Sequence, residues 1–435
     1  MIVPIHRLPP TRLSALTRPR TIRGLSVDFW VFWAAQAVST LGGSFTGFAI
    51  PLLVFRLTGS AVNLSLSTAV SYLPMILFGL LIGAWADRMD RKRLMRVVNV
   101  LLAINVGTIP LFAAIGHLSV WWIYCVIFAA GTLRLFFSAA VAAATASLVP
   151  RDALVTANGR IQASYSAMGV LGPVLAGSLA AFLPIESLIV ADAASYLIAA
   201  GALLFVRGSF NSPDHAGARK SIRADIKEGL GFLFGHPILR NISVMMAIVN
   251  FVSLTVMAEL VFYAKEQLHA TNAQVGLLFS ANAAGVVLLS LLAGPLRKRM
   301  RFSRVALGAL QLQGIIAVCL AYLHAFWPAL VLLAIFQGLG TLFSINTTSL
   351  RQAVTPHHML GRVVTTAGVI GGSVIPVGTM LGGLAIQHTG SITLVFTAIG
   401  VLVFLIPTIF SFTELRHAEA YIPREDAMVE ELGAA

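Results

Sequence analysis

Runs of about twenty or more predominantly apolar residues follow one another along this chain, separated only by short polar, glycine or proline punctuation. That pattern leaves few folds open. A helix needs about 20 apolar residues to cross roughly 30 Å of hydrocarbon, and in lipid only helices and closed barrels satisfy their own backbone hydrogen bonds. The runs fall at 29–55, 61–85, 94–116, 119–148, 158–183 and 187–206. After a polar stretch from Arg207 to Arg240 they resume at 241–264, 274–295, 304–323, 327–349, 361–387 and 391–412. They predict an all-α membrane protein with twelve transmembrane helices in two six-helix bundles, 29–206 and 241–412. A linker at 207–240 joins the bundles, and tails at 1–28 and 413–435 flank them. Composition agrees: with 57% hydrophobic and 11% charged residues, and a mean hydropathy of +0.87, a domain of this size would lack the polar surface to live in water.

The formal charge of +13 raises nucleic acid as a partner for a soluble chain, but its placement argues for membrane orientation instead. With both termini cytoplasmic, 27 of the 30 Lys and Arg residues lie on that side, with Arg56 and Lys265 outside and Arg134 within a helix. The positive-inside bias selects this orientation in a bacterial inner membrane. The start of the chain, with Arg7, Arg12, Arg18, Arg20 and Arg23, is expected to be a cytoplasmic tail, because the apolar run from Phe29 is too long for a signal-peptide core. Cys125 and Cys319 each stand alone in an apolar segment and make neither a disulfide framework nor a metal set.

The two bundles carry a trace of duplication. Thr145, Ser147, Leu148, Gly159 and Arg160 recur 202 residues later as Thr347, Ser349, Leu350, Gly361 and Arg362, each set running from a fourth span through a proline-containing loop into a fifth. Repeats of this kind are a common construction among transporters.

The loop after the second span contains Gly83, Asp87, Arg88, Asp90, Arg91, Lys92 and Arg93. It resembles the signature of the major facilitator superfamily, with Asp90 where that signature has its second glycine. The resemblance implies a cytoplasmic gate in which Asp87 sits at a helix N-terminus while Arg88 and Arg91 reach carboxylates or helix C-termini; the alternative is a solvated turn whose charge sets topology. The matching loop of the second half, Gly294 to Arg299, keeps the glycine and the cations and lacks the acid. Gly169, Gly172, Pro173 and Gly177 in the fifth span are similar to the superfamily's exporter motif, with an echo at Gly371, Gly372, Pro376, Gly382 and Gly383 in the eleventh. Small residues of this kind also serve ordinary helix packing. Asp192 to Tyr196, Asp225 to Gly229, and Leu350-Arg351-Gln352 followed by Pro356 and Gly361-Arg362-Val363 narrow the resemblance to the branch with the macrolide-efflux proteins and the enterobactin exporter.

Ionisable groups within spans are costly and tend to face the bundle interior. Arg134, at the middle of the fourth span, is a candidate for substrate binding or for a structural clamp. Glu259 and Asp192 are the candidate proton-coupling carboxylates; the superfamily resemblance, which puts the seventh span on the central cavity and the sixth at the periphery, favours Glu259. Gln36, Asn250, Asn282, Gln337 and Asn346 are candidates for lining the pathway, each with interhelical hydrogen bonding as its alternative. His357 and His358 have no acidic or thiol neighbours in sequence, so no metal is expected. The chain contains no phosphate-binding loop for ATP and no hydrolase or zinc-protease motif, so no cofactor and no enzymatic activity are expected. The expectation is a monomeric proton-coupled exporter of small amphipathic molecules, working by alternating access within the lipid bilayer. An importer by symport, a receptor or scaffold on the same fold, and a channel stay open. The acidic end, with Glu425, Asp426, Glu430 and Glu431, is expected to be a disordered tail.

Overall fold

The computed structural model describes residues 21–22, 25–86, 89–149, 153–207, 210, 222–356 and 359–421. The first six long helices are α1 (Val27–Thr58), α2 (Ala61–Ala86), α3 (Arg91–Ala114), α4 (Val120–Leu148), α5 (Leu154–Leu179) and α6 (Ile185–Phe205). The second group comprises α8 (Pro237–Ala258), the short α9 (Leu260–Phe262) with a π turn (Tyr263–Gln267), α10 (Asn272–Arg299), α11 (Phe302–Ala321), α12 (Phe326–Val354), α13 (Leu360–Ser373), α14 (Ile375–Thr389) and α15 (Ile392–Phe410). Between the groups lies α7 (Ile222–Gly235).

Local chemistry sets the ends. Ser26, Ser119 and Ser391 cap α1, α4 and α15 by accepting from Phe29 N, Trp122 N and Leu394 N, and Thr271 and Gln274 form a full capping box at α10. Gly59 and Gly390 end α1 and α14 in the left-handed conformation that glycine adopts without strain. Asp90 stands in extended backbone, φ −63°, and accepts from Arg93 N at 2.7 Å as the N-cap of α3. The turn there needs no positive φ, which is why an aspartate serves where the superfamily signature has glycine.

Among the described residues, eleven stretches are long and apolar enough to cross a bilayer. The twelfth expected span corresponds to α5, which runs 26 residues but is interrupted by Asn158, Gln162, Ser164 and Ser166 and does not count with the others. α1 packs along one side of it and α10 along another, while Asn158 and Gln162 are exposed. A helix flanked by protein can carry more polar residues than one facing lipid.

Within the first group α1 packs on α6, α2 on α4, and α3 on both α4 and α6; within the second, α10 packs on α12, α11 on α12 and α15, and α8 on α14. The groups meet through α2 against α14 and α5 against α10. Two expected spans are interrupted. The seventh breaks at Glu259, φ −95° and ψ 10°, before α9 and the π turn, and the eleventh divides at Val374 into α13 and α14, with Pro376 in the first turn of the latter.

The expected linker contains structure of its own. α7 lies against α13, with Leu233 fully buried among Met359, Val363 and Ala367 and Glu228 2.8 Å from Arg362. A 3₁₀ segment, Glu414–Tyr421, tucks Leu415 and Ala418 against α8 and α11. His236 sits between Phe232 and Tyr421, where burial pushes its imidazole below the usual histidine range. Asp87, Arg88, Lys220, His357, His358, Glu425, Asp426, Glu430 and Glu431 lie outside the described residues.

Candidate functional site

Three polar assemblies sit inside the helical bundle, and the structure distributes the sequence-predicted residues among them. The first lies on the seam between the two helix groups. Glu259 is fully buried, and its Oε1 accepts a hydrogen bond from Ser65 Oγ on α2 at 2.5 Å, a link between residues 194 apart. Its Oε2 has no partner. The break in the seventh span places the carboxyl here: the Glu259 N–H still donates to Thr255 O, its carbonyl still accepts from Tyr263, and the chain changes course between them.

The seam is built from small residues. A Cβ on Gly177 of α5 would stand 2.8 Å from Gly276 Cα and 3.1 Å from Ala273 O on α10. A Cβ on Gly276 would stand 2.5 Å from Pro173 O. On the opposite flank, a Cβ on Gly383 of α14 would stand 2.6 Å from Ser65 Oγ and 3.0 Å from Ala61 O. Gly172 brings α5 onto Ser44 of α1, and Gly378 brings α14 onto the Phe251 backbone of α8. The pairs Gly172/Gly378 and Gly177/Gly383 are each 206 residues apart, so each bundle uses one glycine to pack internally and a second, one turn on, to meet the other bundle. Phe48 against Phe279 and Phe55 against Phe262 complete this face.

The second assembly belongs to the first bundle. Asp192 on α6 is fully buried; Ser195 Oγ bonds its backbone carbonyl at 2.7 Å and approaches Oδ1 at 3.3 Å, while Oδ2 has no partner. The absence of a side chain at Gly42 lets α1 close over it, since a Cβ there would be 2.7 Å from Asp192 Oδ1. Arg134 on α4 is exposed, donates from Nη2 to Tyr196 Oη at 3.2 Å, and has Asp192 within electrostatic reach. The structure thus brings Arg134 together with Asp192 and keeps both apart from Glu259.

The third assembly is a cavity of about 270 Å³ within the second bundle, bounded by α8, α11 and α12. Asn250 and Gln337 line it, as do Ser253, Gln313, Thr341 and Ser344, with Met246, Met257 and Phe336 among the apolar lining. No lining side chain carries a formal charge. Asn250 also donates to Gly371 O at 2.9 Å, so it ties α8 to α13. Gln36, Asn282 and Asn346 are buried but do not line this cavity; Asn346 bonds Leu342 O of its own helix at 2.7 Å, and Gln36 Nε2 and both polar atoms of the Asn282 side chain lack partners.

At the expected gate, Gly83 falls within α2. Arg91 Nη1 donates to Phe210 O at 3.1 Å, and Lys92 Nζ to Val206 O, so cations at the start of α3 hold carbonyls at and beyond the end of α6. Sequence reasoning missed Ser65 and Tyr196 as site residues and, of the cavity lining, all but Asn250 and Gln337. The signal for the cavity was present: Met246, Asn250, Ser253 and Met257, and Gln337, Thr341 and Ser344, follow the three-and-four spacing of one helix face.

Comparison with known proteins follows the same architecture. A profile of a family described as transmembrane secretion effectors matches residues 25–433. Macrolide efflux protein A of Streptococcus pyogenes is 24% identical over 368 residues, covering 84% of this chain and 90% of that protein. The multidrug efflux pump Tap of Mycolicibacterium fortuitum is 26% identical over 358 residues, with 80% and 87% covered. Enterobactin exporter EntS of Shigella flexneri is 25% identical over 408 residues, with 92% and 95% covered. Among solved structures, a bacterial homolog of the human lysosomal transporter Spinster, inward-facing and unoccupied, superposes with a TM-score of 0.73 at 13% identity, covering 93% of this chain and all of that one, a likeness of fold.

Proposed function

The chain belongs to the transmembrane secretion effector family of major facilitator transporters, and from that premise we propose that it is a monomeric secondary exporter of small amphipathic molecules, driven by proton entry through alternating access. The observation that carries the reading is the Ser65–Glu259 bond. It joins the two bundles through a carboxyl group enclosed by the seam itself, so opening the seam changes the surroundings of a group that exchanges protons. The two charge states of a carboxyl group are not equally at home in a closed and an opened seam, and that difference links protonation to conformation.

The cavity of the second bundle supplies the solute site in this reading. Its amide and hydroxyl groups, set among methionine, leucine and phenylalanine side chains, suit a molecule with both apolar and hydrogen-bonding faces. The efflux activities named for the relatives agree with the outward direction. Reconstitution tests the proposal: proteoliposomes should show solute counterflow, and solute release should be accompanied by proton uptake in the opposite direction. Counterflow without proton movement would remove the coupling, and solute and protons moving together would make the protein an importer.

The proposed topology places α5 across the bilayer as a twelfth span, both termini in the cytoplasm and the closed seam toward the exterior of a bacterial inner membrane. Asp87 and Arg88 then belong to a cytoplasmic gate with Gly83 and Arg91. In intact spheroplasts, an impermeant thiol reagent should label a cysteine placed at Glu266 and leave one at Lys220 unlabelled until the membrane is opened. The reverse pattern would invert the orientation.

A further inference from the structure

Of the acidic and basic side chains, three are almost wholly enclosed among the described residues: Asp192, Glu259 and Arg351. The two carboxyl groups have serine hydroxyls beside them. Arg351, in the last turn of α12, is 4% exposed, its Nη2 rests 3.8 Å from Met246 Sδ, and its Nε has no partner. Elsewhere Arg56 pairs with Glu186, Arg362 with Glu228, and Arg134 has Asp192 within reach; among the described residues no carboxylate pairs with Arg351.

A guanidinium keeps its charge at any physiological pH, and removing it from water without a counter-ion is unfavourable. Its place in the last turn of α12 gives it the favourable end of that helix dipole, which offsets only part of the loss. A thioether is a weak acceptor and leaves most of the fork's donors unused. Met246 also lines the second-bundle cavity, and it is an unbranched side chain with three rotatable bonds. Met246 thus touches both this cation and a cavity whose own lining is uncharged. Ser344 lines that cavity two turns before Arg351 on α12, so the arginine continues the lining face of the helix toward Met246.

We infer that this cavity takes an amphipathic solute bearing an anionic group, with Arg351 as its counter-charge once Met246 turns aside. The inference rests on the cavity being the solute site, as proposed above, and narrows the class of solute. Arg351 supplies two parallel N–H donors to a carboxylate, phosphate or sulfonate, while the amide and hydroxyl groups of the lining orient the rest of the molecule.

The test uses the full-length protein in nanodiscs of zwitterionic lipid and two probes on one scaffold, 1-anilinonaphthalene-8-sulfonate and its uncharged parent N-phenyl-1-naphthylamine, with empty discs subtracted. Wild type should prefer the sulfonate. R351M should weaken sulfonate binding by about tenfold or more, the scale of one charge-assisted contact, and leave the uncharged probe within about twofold. R351K should fall between. M246E keeps the arginine and supplies an internal carboxylate, so it should lose the sulfonate selectively as well; this variant decides the matter if R351M does not fold. Equal loss of both probes in R351M and M246E, sulfonate binding at the wild-type level in both, or no preference in wild type would each overturn the inference while leaving the cavity as the solute site. Binding of neither probe by wild type would remove the cavity reading and this inference together.

Discussion

Glu259→Gln should reduce gradient-driven export by roughly two orders of magnitude, the upper range for coupling between two linked sites, while solute exchange at zero gradient persists. Glutamine keeps the shape of the protonated side chain and can still bond Ser65, whose hydroxyl lies 2.5 Å from Glu259 Oε1; what it loses is titration. The seam therefore still closes, and the solute still crosses, but closing no longer requires a proton. Arg134→Ala should impair both modes, because it removes a cation that donates to Tyr196 and stands near Asp192. Parallel measurements of pH-jump-driven efflux and of isotope exchange decide the matter. Full gradient-driven export by Glu259→Gln would pass the role to Asp192, and wild-type activity in Asp192→Asn as well would leave the coupling without a carboxyl group.

The second large effect is expected at the glycine crossings, where two substitutions should fail in different ways. Gly177→Leu must displace backbone, since a Cβ already stands 2.8 Å from Gly276 Cα. Overpacking of this kind costs about 1–3 kcal/mol, and more when the neighbour is main chain, so the closed seam should become scarce and all transport modes should fall together. At Gly383 the nearest neighbours are the Ser65 hydroxyl, which can rotate away, and Ser65 Cβ at 2.7 Å, which moves only with α2, so a methyl group there displaces the hydroxyl and shifts the helix slightly. Gly383→Ala should therefore keep exchange and lose proton coupling, by taking Ser65 from Glu259. Counterflow and proton flux measured on both variants, with expression and detergent stability as controls, separate the two outcomes. An identical phenotype in the two would show that these glycines serve packing alone.

The bundle was legible in the sequence because lipid imposes a long apolar run on each spanning helix, and most observed helices begin and end within a few residues of the runs. The exception in composition is α5, which carries Asn158, Gln162, Ser164 and Ser166 on a helix flanked by α1 and α10, and a hydropathy pattern cannot tell protein neighbours from lipid ones. The breaks in the seventh and eleventh spans were less visible. Pro376 marks one of them, but Glu259 carries no breaker residue beside it, so nothing local announces the change of course.

The candidate site was legible only as a set of residue types. Asn250 and Gln337 belong with Ser253, Thr341 and Ser344 through helical spacing, which a sequence contains. The partnership of Glu259 with Ser65 spans 194 residues, and Ser65 is one of three serines within seven positions of α2, so no spacing rule selects it. Arg351 was counted among the cations that set orientation, since its position near a span end suits that role; its enclosure depends on Met246 and the packing of α8, which are tertiary facts.

The cavity draws its walls from α8, α11 and α12, whereas the seam is formed by α2 and α5 meeting α14 and α10, together with the carboxyl group at the end of α8. On the proposed function, recognition and proton coupling therefore fall on different surfaces. On that proposal, substitutions at Ser253, Gln313, Thr341 or Ser344 should redraw the range of accepted molecules without touching a glycine crossing or the Ser65 bond. A lineage built this way can diversify its cargo in single steps while one engine, inherited intact, continues to drive each new version.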